Sequence, residues 1–238
     1  MREKKAVKEA FTDLAPHYEE TVDSELQTFW GWSYRGFVER LIENTPLPAS
    51  AKILDIATGT AVIPRTFAAR VEGEHHFTGL DITEAMLQQG QREIEASGNK
   101  PPISLTCGDA MALPLAANAY DFVVSGLATH HMDIPKMLSE SLRVLKEGGT
   151  FSIVDVGISP LWQNRIMRSV SRIIAFVYFM FKENMSRAWA EAAAVTNVWT
   201  AEDWSRELKQ IGFQEIQIQR IPSQRRWSPD PLAIRAKK

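Results

Sequence analysis

The chain has 238 residues, a formal net charge of -2 at pH 7 and 45% hydrophobic residues. This length suits one α/β domain with an elaborated core, and the charge excludes the basic footprint of a nucleic-acid-binding protein. A single cysteine, Cys107, excludes an internal disulfide, and no apolar signal peptide precedes the first helix, which predicts a cytoplasmic location.

The first 45 residues are predicted to form a helical cap. Apolar and aromatic residues recur at helical spacing over residues 4 to 20 and 25 to 44, which predicts two helices. Pro46 and Pro48 end this segment because proline cannot continue a helix.

From residue 51 the chain alternates between predicted strands and helices, which is typical of a parallel sheet. Helical segments rich in aromatic, methionine and arginine residues then interrupt the pattern, and we interpret them as a lid over a functional site. A final helix begins at residue 201. The predicted strands are 51–57, 76–81, 102–107, 120–126, 150–156, 213–221 and 231–238, and the helices between them include 83–97 and 134–147.

The most informative segment is KILDIATGTA, at residues 52 to 61. Its apolar run predicts a buried parallel strand, and Ala57, Gly59 and Ala61 form a turn narrow enough for a ligand to touch the backbone. Asp81 ends the next predicted strand about 20 residues later, where a carboxylate can accept hydrogen bonds from a ribose diol. Together the two features predict a nucleotide-type cofactor site.

Four segments occur in a characteristic order over residues 51 to 156: ILDIATGTA, GLDITEAML, CGDAMALPLAANAYDFVVSGLATHHM and LRVLKEGGTFSIVDVG. In these segments the chain resembles the class I S-adenosylmethionine-dependent methyltransferases, in particular the ubiquinone and menaquinone biosynthesis C-methyltransferases. The resemblance implies an α/β fold with a Rossmann-like, seven-stranded, mostly parallel sheet and helices on both faces. It also implies one domain over residues 1–238, divided into an N-terminal helical cap (1–45), a cofactor-binding core (51–156), a helical lid after the fifth strand (157–200), and a last helix with two final strands (201–238).

The resemblance implies S-adenosylmethionine as the cofactor and assigns contacts to it. Asp81 would bind the ribose, Asp109 the adenine amino group, and Asp55 with the Gly59 carbonyl the ammonium end. The residues also allow other interpretations: Asp55 could hold the loop through backbone amides, Asp109 could cap a turn, and Met86 could be helix packing. The remaining predicted cofactor contacts are Ala57, Ile82, Met86, Ala110, Ser125 and Tyr18.

Two adjacent histidines, His130 and His131, follow the fourth predicted strand. We predict them as the catalytic residues, acting as a general base or orienting the acceptor, since histidine changes its charge near neutral pH. Alternatively, the pair packs the loop and hydrogen-bonds it. No cluster of acidic residues and histidines has the spacing of metal ligands, so no metal is predicted.

Residues 173 to 181 of the lid form an apolar run that is too short to cross a bilayer. The run could pack as core, line an acceptor pocket or contact a membrane surface peripherally. Trp162, Trp189 and Trp199 bracket it, which predicts an aromatic wall for an acceptor.

The predicted function is methyl transfer to a hydrophobic or aromatic small molecule, either on carbon of a quinone precursor or on oxygen of a phenol. The alternative is a protein of the same fold that binds S-adenosylmethionine without transferring the methyl group, as a cyclase or a binding module. No nucleic-acid partner is predicted, and the sequence carries no signal for an oligomeric state.

Overall fold

The computed structural model describes residues 2–97, 102–158, 164–225 and 228–238, and within them seven strands form one sheet. The strands are β1 (Ser50–Ile56), β2 (Glu74–Asp81), β3 (Ile103–Cys107), β4 (Tyr120–Gly126), β5 (Leu145–Asp155), β6 (Gln214–Arg220) and β7 (Leu232–Lys237). The α-helices are α1 (Arg2–Leu14), α2 (Tyr18–Phe29), α3 (Tyr34–Asn44), α4 (Val62–Arg70), α5 (Glu84–Ala96), α6 (Ile134–Val144), α7 (Arg165–Lys182), α8 (Met185–Ala194) and α9 (Ala201–Ile211).

The strand order across the sheet is β3-β2-β1-β4-β5-β7-β6. Strands β1 to β5 pair in parallel, whereas β7 runs antiparallel to both β5 and β6. The predicted Rossmann-like, seven-stranded, mostly parallel sheet is therefore confirmed. The order reverses at β1, which has β2 on one side and β4 on the other.

Both faces of the sheet are covered by helices, as predicted. Successive side chains of a strand point to opposite faces, so a strand buried on both faces is apolar throughout. In β1, Leu54 packs in one core cluster with Met137 of α6 and Trp204 of α9. Its neighbour Ile53 packs in a second cluster with Phe67 of α4.

The N-terminal cap contains three helices, so the prediction of two helices over residues 4–20 and 25–44 is wrong in detail. A 3-10 turn at Ala15–His17 separates α1 from α2, because Pro16 lacks the amide hydrogen that a continuous helix needs. A second break precedes α3, where the Ser33 hydroxyl caps the helix by accepting a 3.0 Å hydrogen bond from the Gly36 amide.

Helix α6 is shorter and β5 longer than predicted. The helix ends at Val144 rather than at residue 147, because Leu145 is already extended and pairs with Tyr120 of β4. Lys146, the next residue of β5, forms an ion pair of 2.7 Å with Asp121 of β4. Residues 98–101, which follow the predicted helix 83–97, lie outside the described residues.

The predicted lid corresponds to α7 and α8, which lie between β5 and α9 in the chain. Helix α8 packs against both α7 and the first helix of the cap. None of the helices that the structure describes is long and apolar enough to cross a membrane.

Candidate functional site

A cavity of about 570 Å³ lies at the carboxyl ends of β1, β2, β3 and β4. Doubly wound sheets bind ligands at this edge, where the strand order reverses. The walls also include residues from the cap helix α1 and from the lid helices. The lining from the strand ends consists of residues 57, 59, 80–83, 108–111 and 127–128, and residues 130–133 follow in the loop after β4.

Asp81 lines the cavity and also shapes it. Its Oδ2 accepts a 3.0 Å hydrogen bond from the Gly59 amide, and its Oδ1 accepts a 2.8 Å bond from the Thr83 amide. The carboxyl is 8% exposed, and burial raises its pKa. Each carboxylate oxygen can accept a further bond, so Asp81 can hold the turn after β1 and a ligand hydroxyl together.

Gly59 forms a cradle that a larger residue would fill. Its backbone has φ +55, and a Cβ at this position would lie 3.1 Å from Cε of Met86 and 3.6 Å from Cε1 of Tyr18. Ala57 and Ala61 on either side also have positive φ, which costs an L-residue roughly 1–2 kcal/mol each. The turn thus keeps a strained backbone where a ligand would approach it closely.

Asp55 and Ser125 lie behind the cavity wall, although both were predicted as cofactor contacts. Asp55 is fully buried, and neither of its carboxylate oxygens has a hydrogen bond within the described part of the chain. Burial raises the pKa of Asp55 to about 8, outweighing the opposite effect of the nearby Thr58 hydroxyl. The Ser125 hydroxyl donates a 2.7 Å hydrogen bond to the Ile56 carbonyl and fixes β4 to β1.

Asp109 caps a local turn, as its alternative interpretation held, and it also lines the cavity. Its Oδ1 accepts a 3.0 Å hydrogen bond from the Met111 amide.

The structure brings most of the predicted cofactor contacts together around this one cavity. Those on its wall are Tyr18, Ala57, Gly59, Asp81, Ile82, Met86, Asp109 and Ala110.

His130 lines the same cavity and is held by Asp155, the last residue of β5. Nδ1 of His130 lies 2.8 Å from Oδ1 of Asp155, and Oδ2 accepts from the amide and hydroxyl of Thr129. Burial alone lowers the pKa of His130, but the Asp155 carboxylate outweighs it and the net pKa is raised. Burial alone would raise the pKa of Asp155, but the charge of His130 outweighs this effect and keeps the pKa low. An ionised Asp155 can only accept, so Nδ1 donates and the neutral ring keeps its lone pair on Nε2.

His131 occupies a different environment. Its Nε2 lies 3.5 Å from Glu191 of the lid, and the ring of Phe11 from the cap packs edge-on at 5.3 Å. Burial and the neighbouring His130 lower the pKa of His131. His131 is therefore protonated less readily than His130, and its ring contacts both the cap and the lid.

Polar contacts fix the lid against this histidine loop. Asn197 donates hydrogen bonds of 3.1 Å to the His130 carbonyl and 2.7 Å to the Met132 carbonyl. Arg187 of α8 is buried and lies 3.2 Å from both Glu191 and Glu25 of the cap. The lid thus closes one side of the cavity through contacts with the histidine loop and with the cap.

The predicted aromatic wall from lid tryptophans is wrong for the two that are described. Trp189 is 50% exposed, and Trp199 packs against Trp204 at 5.4 Å between ring centroids. Neither lines the cavity, because α8 presents Ala190, Ala193 and Ala194 there instead. Trp162 lies outside the described residues.

The apolar run of the lid packs partly as core, because Phe179 lies in one buried cluster with Ala175 and Ala188.

The residues of the site that the sequence analysis missed include Asp155 and Glu191, which hold the two histidines. Asp155 ends an apolar strand, the same signal that identified Asp81, and could have been found in this way. Glu191 lies on a lid helix, and its contact with His131 depends on tertiary packing that no local pattern encodes.

The sequence matches known methyltransferases. Residues 53–149 match the family model described as methyltransferase domain. A demethylmenaquinone methyltransferase from Symbiobacterium thermophilum is 33% identical over 176 residues, which are 74% of this chain and 64% of that protein. A ubiquinone/menaquinone biosynthesis C-methyltransferase from Roseobacter denitrificans is 36% identical over 113 residues, covering 47% of this chain and 45% of that protein. The chain thus spans less than two thirds of the length of either relative.

The fold also matches solved structures. Phosphoethanolamine N-methyltransferase 2 from Haemonchus contortus, in complex with S-adenosyl-L-methionine, superposes with a TM-score of 0.67 at 16% identity, covering 96% of this chain and 60% of that one. Geranyl diphosphate C-methyltransferase from Streptomyces coelicolor superposes with a TM-score of 0.66 at 15% identity, covering 92% and 83%. At these identities the likeness concerns the fold alone.

Proposed function

We propose that this chain, whose residues 53–149 match a methyltransferase domain, transfers the methyl group of S-adenosylmethionine to a hydrophobic aromatic small molecule bearing a hydroxyl group. A quinol or phenol is the acceptor class that the site suits best. The observation that carries the proposal is that His130, held by Asp155, lines the same cavity as Asp81 and Asp109.

The residues around the cavity fit S-adenosylmethionine. Asp81 offers free lone pairs to a ribose diol, and Gly59 leaves the space that a ligand needs above the turn after β1. Asp55 is a buried carboxyl close behind this turn with no hydrogen bond to any described residue, and the ammonium group of a methionine moiety would stabilise its ionised form. We therefore assign the ribose to Asp81, the adenine to Asp109 and the amino-acid end to the Gly59 turn above Asp55.

The acceptor would occupy the part of the cavity between the histidine loop and the lid. Phe11, Ala190 and Ala193 give this part an apolar lining, which suits a hydrophobic ring. Bound S-adenosylmethionine supplies an electrophilic methyl carbon on a positively charged sulfur. An apolar lining that excludes water favours the reaction, because this charge disappears as the methyl group leaves.

His130 would act as the general base. Asp155 orients the ring and holds the proton on Nδ1, so Nε2 can accept a proton from the acceptor hydroxyl. The resulting aromatic oxyanion would take the methyl group through oxygen, or through a ring carbon that then loses its own proton, while the bond from the methyl carbon to sulfur breaks and the cofactor leaves as a neutral thioether. The names of the two relatives favour attack through carbon on a quinone-type ring.

The proposal is tested with S-adenosylmethionine labelled on its methyl group and a panel of hydrophobic quinols and phenols. We expect labelled product with at least one acceptor, and a loss of about 10²-fold or more in kcat for His130→Ala. His76→Ala is the matched control, because His76 is exposed and does not line the cavity. Cofactor binding without transfer to any acceptor would favour the alternative of a binding protein or cyclase.

A further inference from the structure

Helix α7 of the lid carries an exposed apolar surface. The exposed fractions are 70% for Ile166, 63% for Ile173, 62% for Ile174 and 84% for Phe181. At about 100° per residue these positions fall on one side of the helix, together with Val170 and Val177. We call these six residues, Ile166, Val170, Ile173, Ile174, Val177 and Phe181, the α7 stripe. Single exposed apolar residues are ordinary, but a continuous stripe marks an interaction surface.

The opposite side of α7 is buried, which fixes the direction of the stripe. Ala175 and Phe179 are 9% and 7% exposed and pack against Ala188 of α8. Tyr178 packs edge-on against Phe29 of the cap at 5.5 Å. The helix is therefore anchored by one face, and the α7 stripe points away from the rest of the described chain.

Charge decides which partner suits this surface. The sequence of α7 contains no aspartate or glutamate, although acidic residues outnumber basic ones in the whole chain. Arg172 and Lys182 are exposed on the same helix, outside the α7 stripe, and Lys182 lies 3.7 Å from Glu25 and 5.5 Å from the centre of the Tyr178 ring. A helix with one exposed apolar face and only cationic charge elsewhere along it suits a surface that offers both negative charge and hydrocarbon.

We propose that α7 docks on an anionic phospholipid surface, with the α7 stripe inserted among the acyl chains and the net positive charge of the helix attracted to the lipid phosphates. Trp189 of α8 is half-exposed, and it packs against Phe176 of α7 at 4.9 Å. An indole at this place suits the level of the headgroups. Arg172 also lines the cavity, so docking would bring a cavity wall to the membrane surface, where hydrophobic molecules are concentrated.

The proposal does not depend on methyl transfer, because binding to vesicles is measured without acceptor or cofactor. The full chain is sedimented with vesicles of phosphatidylglycerol and phosphatidylcholine, and separately with vesicles of phosphatidylcholine alone. We expect binding to the anionic vesicles, weaker binding to the neutral ones, and a decrease as salt is raised.

The double variant Ile173→Ser/Phe181→Ser tests the α7 stripe. We expect it to lower the partition coefficient on anionic vesicles by at least about tenfold, because two large apolar side chains no longer enter the bilayer. Gln88→Ser/Gln91→Ser is the matched control, since both glutamines are exposed on α5, outside the lid.

Three results would overturn the proposal. They are no binding of the wild type to anionic vesicles at low salt, unchanged binding of the double variant, and self-association through the α7 stripe without vesicle binding. Sedimentation velocity detects the last, which would assign the surface to a second copy of the chain. The comparison of the two lipid compositions uses the wild type only, so it holds even if the double variant does not fold.

Discussion

Oδ1 of Asp155 lies 2.8 Å from Nδ1 of His130, and the same carboxylate accepts the amide of Thr129 and the amide of Val156. The end of β5 therefore fixes both the histidine ring and the loop that carries it. This arrangement holds His130 at the cavity wall, in the orientation that the proposed general base requires.

The pH dependence of methyl transfer tests this pair. His130 must be neutral to accept a proton, so activity is lost as pH falls through its pKa. The Asp155 carboxylate raises this pKa above the ordinary value of 6.5. We expect the acidic limb of kcat/KM to lie above pH 6.5 in the wild type and to move to lower pH in Asp155→Asn, with kcat reduced by about 10²-fold.

Asp121→Asn is the control for this experiment, because Asp121 pairs with Lys146 far along the sheet from the cavity. Its profile should match the wild type. An acidic limb that stays in place in Asp155→Asn would mean that the acceptor binds already ionised and that His130 only packs the loop.

The glycine turn after β1 provides a second prediction. Gly59→Ala places a methyl group 3.1 Å from Met86, in the space assigned to the cofactor. Gly148→Ala has a similar positive φ of +74 with nothing within 4 Å of the new methyl. Both variants should lose roughly 1–2 kcal/mol of stability from backbone strain. Only Gly59→Ala should weaken S-adenosylmethionine, by at least about tenfold.

Thermal unfolding of both variants measures the cost of backbone strain, and calorimetric titration measures whether the new methyl group blocks the cofactor. If Gly59→Ala bound the cofactor as tightly as Gly148→Ala, the assignment of the methionine moiety to this turn would be lost.

The buried carboxyl of Asp55 predicts a pH-dependent stability. Its folded pKa is raised to about 8 from 3.8, so the folded protein holds a proton that the unfolded chain releases between these values. Stability contributed by Asp55 is therefore lost as pH rises through this window, by up to about 1.4 kcal/mol per pH unit. Glu25, with its pKa raised to about 7 mainly by burial, has the same sign.

The variant Asp55→Asn removes the contribution of Asp55 to the pH dependence of stability and leaves the contribution of Glu25. The free energy of unfolding of the ligand-free variant, relative to the wild type, should increase from pH 5 to pH 8 in urea titrations. A difference that is constant with pH would show that Asp55 is ionised in the folded protein. The same variant should bind S-adenosylmethionine more weakly, because it lacks a charge for the ammonium group.

The sheet could be predicted because each parallel strand is a short apolar run between turn residues. In β1, Ile53 and Leu54 are both fully buried on opposite faces, which produces a continuous apolar signal. The predicted ends of helices and strands were less accurate where pairing between strands overrides the local preference for helix. Leu145 and Lys146 follow a helical pattern in sequence, yet pairing with β4 extends them.

The cavity wall to which we assign the cofactor could be located from the sequence, because its residues follow the strand ends in chain order, as Asp81 and Asp109 do. The acceptor half could not, because it combines elements far apart in sequence. Phe11 of the cap and Glu191 of the lid both contact His131, and no local pattern links these positions.

The central claim is that the cavity at the carboxyl ends of β1 and β2 binds S-adenosylmethionine through Asp81. The most direct test is calorimetric titration of the wild type and Asp81→Ala with S-adenosylmethionine and, separately, with NAD. We predict that the wild type binds S-adenosylmethionine and not NAD, and that Asp81→Ala weakens binding by about 10- to 100-fold through the loss of one or two charge-assisted hydrogen bonds. A preference for NAD, no binding, or an affinity unchanged by the substitution would contradict the account.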